Sequence, residues 1–277
     1  MFKLFLVLAC ICLLASCSAP VQPPFTYPED KSLSSPQGIP PDSATSYFPA
    51  GASINTSNDT LIRRLGDCQD RFRRFSEYLF GFGAPVLSNY YLGHSIYRFL
   101  WIPARRYPVL ITVDLTETGG VLTTQLLNRA PEPIASAAKI EAESKPLIQR
   151  ITELNKQMQA GEHVADNTER VASAKDQLDY IKLTGKALII KNETAVVLSR
   201  IQIQQFQKLL TQVGFWQLPG CEPSCCFDGA TYVLEAHEPN RYQVVQRECF
   251  IEKSSGFLQC CQFLLNLSPA KPKPSLH

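Results

Sequence analysis

Two regions of strand-like alternation, separated by a long region of helical spacing, constrain the fold of this chain most strongly. Residues 109–115 alternate branched apolar and polar side chains, and residues 121–127 follow after a Thr-Gly-Gly turn. Residues 230–236 and 241–249 flank the sequence His-Glu-Pro-Asn in the same way. A period of two with short polar turns predicts antiparallel hairpins. With an aromatic strand at 96–101, they predict one antiparallel sheet of about five strands.

The region between the hairpins, residues 134–182, has the spacing of two consecutive helices. Apolar residues recur at intervals of three, four and seven from Ile140 to Met158, and the pattern resumes after Gly161. This spacing predicts a helical hairpin inserted between the strands and packed on its own apolar seam. A docking surface for a partner is the alternative interpretation.

Helical spacing also occurs at residues 60–80 and 256–267, and a capping box at Ser199 begins a helix at 199–213. A short strand is expected at 186–191. The predicted fold class is therefore α+β, with an antiparallel sheet and helices packed on one of its faces.

The chain begins MFKLFLVLACICLLASC, which has the form of an export signal. The apolar run from Leu4 to Leu14 is too short to cross a bilayer as a helix and has the length of a signal-peptide core. It ends in Leu14-Ala15-Ser16-Cys17, which resembles the bacterial lipobox. We expect residues 1–16 to be a signal peptide and Cys17 to carry the lipid. Cleavage near Ala19 without lipidation is the alternative.

A lipidated Cys17 would anchor the protein to a bilayer, because several acyl chains bind a membrane almost permanently. Ser18 follows, and by resemblance to lipoprotein sorting the absence of Asp there favours the outer membrane. We therefore expect an outer-membrane protein of the cell envelope, on its periplasmic or surface face. Its expected partners are the lipid bilayer and an envelope protein.

Composition divides the rest of the chain into three parts. Residues 17–57 are rich in Pro, Ser, Gly and Thr, so we expect a disordered tether. Residues 58–268 contain the strand and helix patterns and form the expected globular domain. Residues 269–277 form the expected disordered tail.

The charges are almost balanced, with 27 basic and 25 acidic residues. Nucleic-acid binding requires a clustered basic surface, so we expect no nucleic-acid partner. The arginines between residues 63 and 74, including Arg74, alternate with apolar residues. This pattern predicts the solvent-exposed face of an amphipathic helix.

The cysteines beyond the lipid-bearing residue are candidates for disulfides: Cys68, Cys221, Cys225, Cys226, Cys249, Cys260 and Cys261. Export places them in an oxidising compartment, where thiols pair. Adjacent cysteines are poor partners, since consecutive Cα atoms lie ~3.8 Å apart and disulfides prefer ~4.4–6.8 Å. We expect bridges that join the 221–226 loop to the 249–261 segment. Zinc is the alternative, but paired C-x2-C spacing is missing, so we expect no metal or other cofactor.

Four stretches stand in a distinctive order: YRFLWIP at 97–103, GFWQLP at 214–219, DGATYVLE at 228–235 and YQVVQR at 242–247. Their order resembles that of a family of uncharacterised bacterial proteins, often small lipoproteins. The resemblance covers residues 90–268 without the helical insertion and implies no particular activity. Tyr232 stands where the family pattern has Trp, Gln243 where it has His, and Arg247-Glu248-Cys249 where it has Arg-Trp-Ser. A catalytic His at position 243 in relatives would be absent here.

The polar residues of these stretches include four candidates for a catalytic site: Asp228, Glu235, Arg98 and Arg247. Asp228 and Glu235 could form a carboxylate pair for acid–base hydrolysis, with either arginine binding an anionic substrate. Alternatively, Asp228 only forms a turn, and Glu235 and Arg247 face each other as a cross-strand ion pair. The chain has no G-x-S-x-G, H-E-x-x-H or P-loop motif. The leading hypothesis is therefore an anchored envelope protein that works by binding or as a structural module, with an envelope hydrolase as the alternative.

Overall fold

The computed structural model describes residues 25–53, 68–103, 107–132, 135–222, 229–248 and 256–269. Within these residues the strands are β1 Ile96–Ile102, β2 Val109–Leu115, β3 Gly120–Leu127, β4 Ile190–Leu198, β5 Thr231–Glu238 and β6 Arg241–Glu248. The α-helices in the same ranges are α1 Cys68–Gly81, α2 Ala137–Gln159, α3 Val164–Thr184, α4 Arg200–Gln212 and α5 Gly256–Leu267. The expected α+β class is confirmed.

The strands form one open antiparallel sheet in the order β4-β3-β2-β1-β5-β6. Both predicted hairpins are present, and β1 joins them by pairing with β2 on one side and with β5 on the other. The sheet has six strands where about five were expected. The sixth, β4, overlaps the predicted strand at 186–191 only in its first two residues, because it begins at Ile190 and pairs with β3 as far as Leu198.

The sheet is covered on both faces, so the expectation of helices on one face needs correction. Tyr97 and Phe99 of β1 pack in a core with α4 and α5, whereas Leu100 packs on the opposite face with α1. Successive residues of a strand point to opposite faces. Because β1 is apolar on both sides, it requires a cover on both.

The N-terminal segment supplies part of the second cover, and the prediction of a disordered tether is wrong for residues 25–53. Tyr47 has no exposed surface, and Tyr27 and Phe48 are also buried. The Tyr47 hydroxyl donates a hydrogen bond to the Ala84 carbonyl (2.9 Å), and the Asn89 side chain donates to the Asp30 carbonyl (2.6 Å). Aromatic anchors thus attach a Pro- and Ser-rich segment to the domain.

The helices α2 and α3 form the predicted helical hairpin. The Ser136 side chain caps α2 by accepting a hydrogen bond from the Lys139 N–H. The two helices pack mainly on each other through a seam that buries Leu154, Val171 and Ala174. The hairpin therefore has its own apolar core, as the sequence spacing indicates. The alternative, a docking surface, stays a prediction.

A disulfide joins Cys68, the first residue of α1, to Cys221, which lies beside β6 (Cα–Cα 6.2 Å). The predicted bridging of the 221–226 loop to the 249–261 segment is therefore wrong for Cys221. The actual partner lies 153 positions earlier in the chain, a contact that sequence spacing does not reveal. Cys225, Cys226 and Cys249 lie outside the described residues.

Cys260 and Cys261 are free thiols in the core around α5, not members of a disulfide. Both are fully buried, and burial raises the pKa of Cys260 to about 11 and raises the pKa of Cys261 as well. A protonated, buried thiol behaves as a small apolar side chain. These two residues therefore contribute to packing.

Among the described residues, no helix combines the length and the apolar character needed to cross a bilayer.

One buried polar side chain of β6 is unsatisfied. Gln246 has no exposed surface, and neither its amide nitrogen nor its oxygen has a hydrogen-bond partner in the described part of the chain. An unpaired buried polar group costs about 1–3 kcal/mol. We expect Gln246→Met, which keeps the length and removes the amide, to raise the free energy of unfolding by about 1 kcal/mol or more. Urea unfolding at constant pH measures the change.

Gln243, on the same strand, provides the matched control. Its side-chain nitrogen donates to the carbonyls of Leu218 (3.0 Å) and Trp216 (3.3 Å). Gln243→Met removes satisfied hydrogen bonds and should lower the free energy of unfolding. If Gln246→Met lowered the free energy of unfolding as much as Gln243→Met does, the assignment of Gln246 as an unsatisfied group would be contradicted.

Candidate functional site

Arg98 and Glu235 form a buried ion pair between neighbouring strands. They stand directly opposite each other in the register of β1 and β5, and their side chains are each 2% exposed. The Arg98 Nε donates to Glu235 Oε2 (2.7 Å), and a second guanidinium nitrogen contacts the same oxygen. A third guanidinium nitrogen donates to the Pro85 carbonyl (2.6 Å). The Tyr242 hydroxyl donates to Glu235 Oε1 (2.8 Å).

This pair is saturated by internal contacts. Burial raises the pKa of the Glu235 carboxyl, while the Arg98 charge and the Tyr242 hydroxyl act against that rise. Both carboxylate oxygens already accept hydrogen bonds, and neither side chain reaches solvent. The geometry is that of a structural pair that connects β1, β5 and the loop at Pro85.

Arg247 lies elsewhere, and the predicted cross-strand pair of Glu235 with Arg247 is wrong. In the register of β5 and β6, Glu235 faces Val244 and Arg247 faces Tyr232. The Arg247 Nε contacts the Glu222 carboxylate instead (3.0 Å). Asp228 and Cys17 lie outside the described residues, so the Asp228/Glu235 pair stays a prediction.

His237 is a second buried polar residue on β5, and it attaches two segments to the sheet. Its Nδ1 lies 2.8 Å from the Leu87 carbonyl and 2.9 Å from the Tyr27 hydroxyl, and its Nε2 accepts from the Leu92 N–H (3.2 Å). The ring is fully buried. Burial lowers the pKa of His237 to about 4, so the imidazole is neutral at pH 7.

The low pKa of His237 predicts a loss of stability in mild acid. In the unfolded chain the imidazole has its ordinary pKa of 6.5 and binds a proton below that pH. In the folded protein it stays neutral until the pH falls to about 4. The free energy of unfolding should therefore fall as the pH drops from about 6.5 to 4, by up to about 3 kcal/mol from this group. Urea unfolding at pH 7.5 and pH 4.5 measures the fall. In His237→Gln the fall should be smaller by this amount, and an unchanged pH dependence would contradict the prediction.

A solvent-accessible cleft of about 280 Å³ lies on the α1 face of the sheet. Its walls are α1, the end of α3 and the loop after β3, and its floor is formed by the ends of β1 and β5. The volume is just below the ~300–1,000 Å³ of common small-molecule sites. A concavity between the other face and α4 and α5 has no room for water.

Four polar side chains line the cleft: Arg74 and Tyr78 of α1, Glu132 of the loop after β3, and Tyr180 of α3. Arg74 and Tyr78 are one helical turn apart and therefore share a face of α1. Tyr180 is placed by the hairpin, which returns the chain from its tip to the sheet. Thr231 at the start of β5 completes the polar lining.

The polar side chains of the cleft have no hydrogen-bond or ion-pair partner among the described residues. In the part of the chain that the structure describes, the side chains of Arg74, Tyr78, Glu132 and Tyr180 make no hydrogen bond or ion pair. Tyr78 is only 7% exposed as a residue, but its hydroxyl is not among the buried side-chain atoms that lack a partner, so it opens onto the cleft. The hydroxyl is therefore accessible to a ligand.

The electrostatics of the cleft keep both phenols protonated. Burial raises the pKa of Tyr78 and of Tyr180, and the negative charge of Glu132 raises both further, while Arg74 acts in the opposite direction. The cleft therefore offers a guanidinium, a carboxylate and two neutral hydroxyls. No group of three or more metal-ligating side chains occurs among the described residues.

Comparison of the chain with protein-family models, curated proteins and solved structures gave no match. The sequence pattern predicted that Arg74 lies on a solvent-exposed helix face, and no pattern indicated Tyr78, Glu132 or Tyr180. These residues come from three separate elements and share no motif, so no local signal predicts the site.

Proposed function

We propose that this protein is a membrane-anchored envelope lipoprotein that binds a small polar ligand in the cleft between α1 and α3. The observation that carries the proposal is the convergence of four unpartnered polar side chains on one open cavity. A ligand would supply the hydrogen-bond partners that the described residues do not supply there.

The anchoring part of the proposal rests on the sequence. The apolar run that ends in Leu14-Ala15-Ser16-Cys17 supports lipidation of Cys17, and Ser18 favours the outer membrane. A disulfide between Cys68 and Cys221 is consistent with an oxidising compartment. We do not place hydrolysis at Glu235, because its carboxylate is occupied by Arg98 and Tyr242.

Ligand binding can be tested by thermal unfolding of the full chain in detergent. The panel contains amino acids, dipeptides, neutral sugars and sugar phosphates. A ligand at 100 times its Kd adds about 2.7 kcal/mol to the stability of the folded state. The expected result is a rise in Tm with at least one class of compound, and its loss in Arg74→Gln or Glu132→Gln. These side chains are exposed and unpartnered, so the variants should fold normally.

Two variants serve as matched controls. Arg73→Gln makes the same change one position away on α1, at a side chain that pairs with Asp70 and is 70% exposed. Glu141→Gln does so for the carboxylate, on the exposed side of α2. Both controls should keep the ligand-induced shift. The absence of any shift across the panel, or equal loss in the controls, would contradict binding in the cleft.

The anchor can be tested by the intact mass of protein extracted from its native membrane. A chain that begins at Cys17 and carries acyl chains is expected. A chain that begins at another residue and carries no lipid would contradict anchoring, while leaving ligand binding in the cleft unaffected.

A further inference from the structure

We propose that the ligand of the cleft is a small zwitterion, such as a free amino acid or a dipeptide, whose carboxylate binds Arg74 and whose ammonium group binds Glu132. This inference rests on the proposed function, since it assigns a ligand class to the same cleft. It follows from the arrangement of charge, from the hydroxyl groups and from the size of the site.

The charges of the cleft are opposite in sign but do not pair with each other. Arg74 and Glu132 line the same cavity, yet no ion pair within 4.0 Å joins them. A simple anion would be attracted by Arg74 and repelled by Glu132, and a simple cation would meet the reverse. Only a ligand that carries both charges gains from both side chains.

The hydroxyl groups fit the same ligand. Tyr78, Tyr180 and Thr231 can each donate to a carboxylate or accept from an ammonium group. Tyr78 is the most constrained of these, because its buried ring fixes the hydroxyl at the wall of the cleft, where it has no partner among the described residues. Hydrogen bonds to ionised ligand groups are stronger than those between neutral groups.

The floor and the volume limit the rest of the ligand. Ile102 and Pro103 at the end of β1 offer an apolar surface to a short aliphatic side chain. A volume of about 280 Å³ accommodates an amino acid or a dipeptide and excludes longer chains that are held entirely inside. The competing ligand class is a neutral sugar, which would use the hydroxyls and charged groups only as hydrogen-bond partners.

Calorimetric titration of the full chain in detergent separates these ligand classes. The probes are alanylalanine, its N-acetyl derivative, its C-terminal amide and glucose. We expect alanylalanine to bind and each capped form to bind at least about tenfold more weakly, because each loses one charge contact. Arg74→Gln should weaken alanylalanine about tenfold but should not weaken the amide, a cation that Arg74 repels. Glu132→Gln should weaken alanylalanine similarly but should not weaken the N-acetyl form, an anion that Glu132 repels.

The outcomes distinguish this inference from the proposed function. Equal affinity for the free and capped dipeptides would overturn the zwitterion assignment, as would failure of alanylalanine to bind. Glucose binding that depends on Arg74 would also overturn the zwitterion assignment, but it would support the proposal that the cleft binds a ligand. Failure of these probes together with the whole thermal-unfolding panel would overturn both. Arg73→Gln and Glu141→Gln should leave every affinity unchanged.

Discussion

Glu235→Gln is expected to lower the free energy of unfolding by about 3–5 kcal/mol, because it leaves the Arg98 charge buried without a counter-ion. The guanidinium cannot lose its proton at accessible pH, and its side chain is 2% exposed. In the variant, the amide nitrogen would also face the guanidinium donors in at least one orientation. Urea unfolding at pH 7.5 measures the loss.

Two comparisons isolate the effect of the unpaired charge. Glu193→Gln changes an exposed carboxylate on β4 that accepts a hydrogen bond from the Gln125 side chain (2.6 Å), and it should cost about 0.5 kcal/mol or less. Removal of both charges in Arg98→Met/Glu235→Gln should cost less than Glu235→Gln alone, since no charge is then buried without a counter-ion and the amide oxygen can still accept from the Tyr242 hydroxyl. A loss below about 1 kcal/mol for Glu235→Gln would contradict a tightly buried pair.

The core of the sheet could be predicted from the sequence because its signals are local. Alternation in β2 and β3, and again in β5 and β6, lies within single hairpins whose partners are adjacent in the chain. The capping box at Ser199 is equally local, and the structure shows both of its hydrogen bonds. Each of these features depends on residues only a few positions apart.

Features that depend on distant contacts were predicted poorly. The strands β1 and β5 pair although the whole insertion lies between them in the sequence, so the sequence did not indicate that Glu235 faces Arg98. The N-terminal segment has the composition of a tether, and only the environment of Tyr47 shows that it packs on the domain. A polar segment with a few aromatic residues can be ordered when a surface exists to receive them.

The cleft could be predicted from the sequence even less well, because its residues come from distant parts of the chain. The sequence predicted Arg74 as an exposed residue of an amphipathic helix. Its exposure is confirmed, but the sequence did not indicate that it lines a cleft. Tyr180 reaches the cleft only because the helical hairpin returns to the sheet beside α1. A site assembled from loop and helix ends in this way requires the tertiary structure.

Cys68→Ala/Cys221→Ala is expected to lower the free energy of unfolding by about 3–5 kcal/mol. The bridge joins residues 153 positions apart, and closing so long a loop removes conformational freedom from the unfolded chain. The loop-entropy model gives about 5 kcal/mol for this length, and measured losses are often smaller. The same bridge holds the start of α1 beside β6, so its removal should also loosen the core between α1 and the sheet. Urea unfolding under oxidising conditions measures the loss.

The response to a reducing agent decides whether this bridge accounts for the effect. Reduction should destabilise the wild-type protein by about the same amount as the double substitution, and it should have little further effect on the variant. Cys260 and Cys261 are buried free thiols, so they should not contribute to this difference. A variant that remains as sensitive to reduction as the wild type would contradict the prediction, because a bridge other than Cys68–Cys221 would then dominate the stability of the chain.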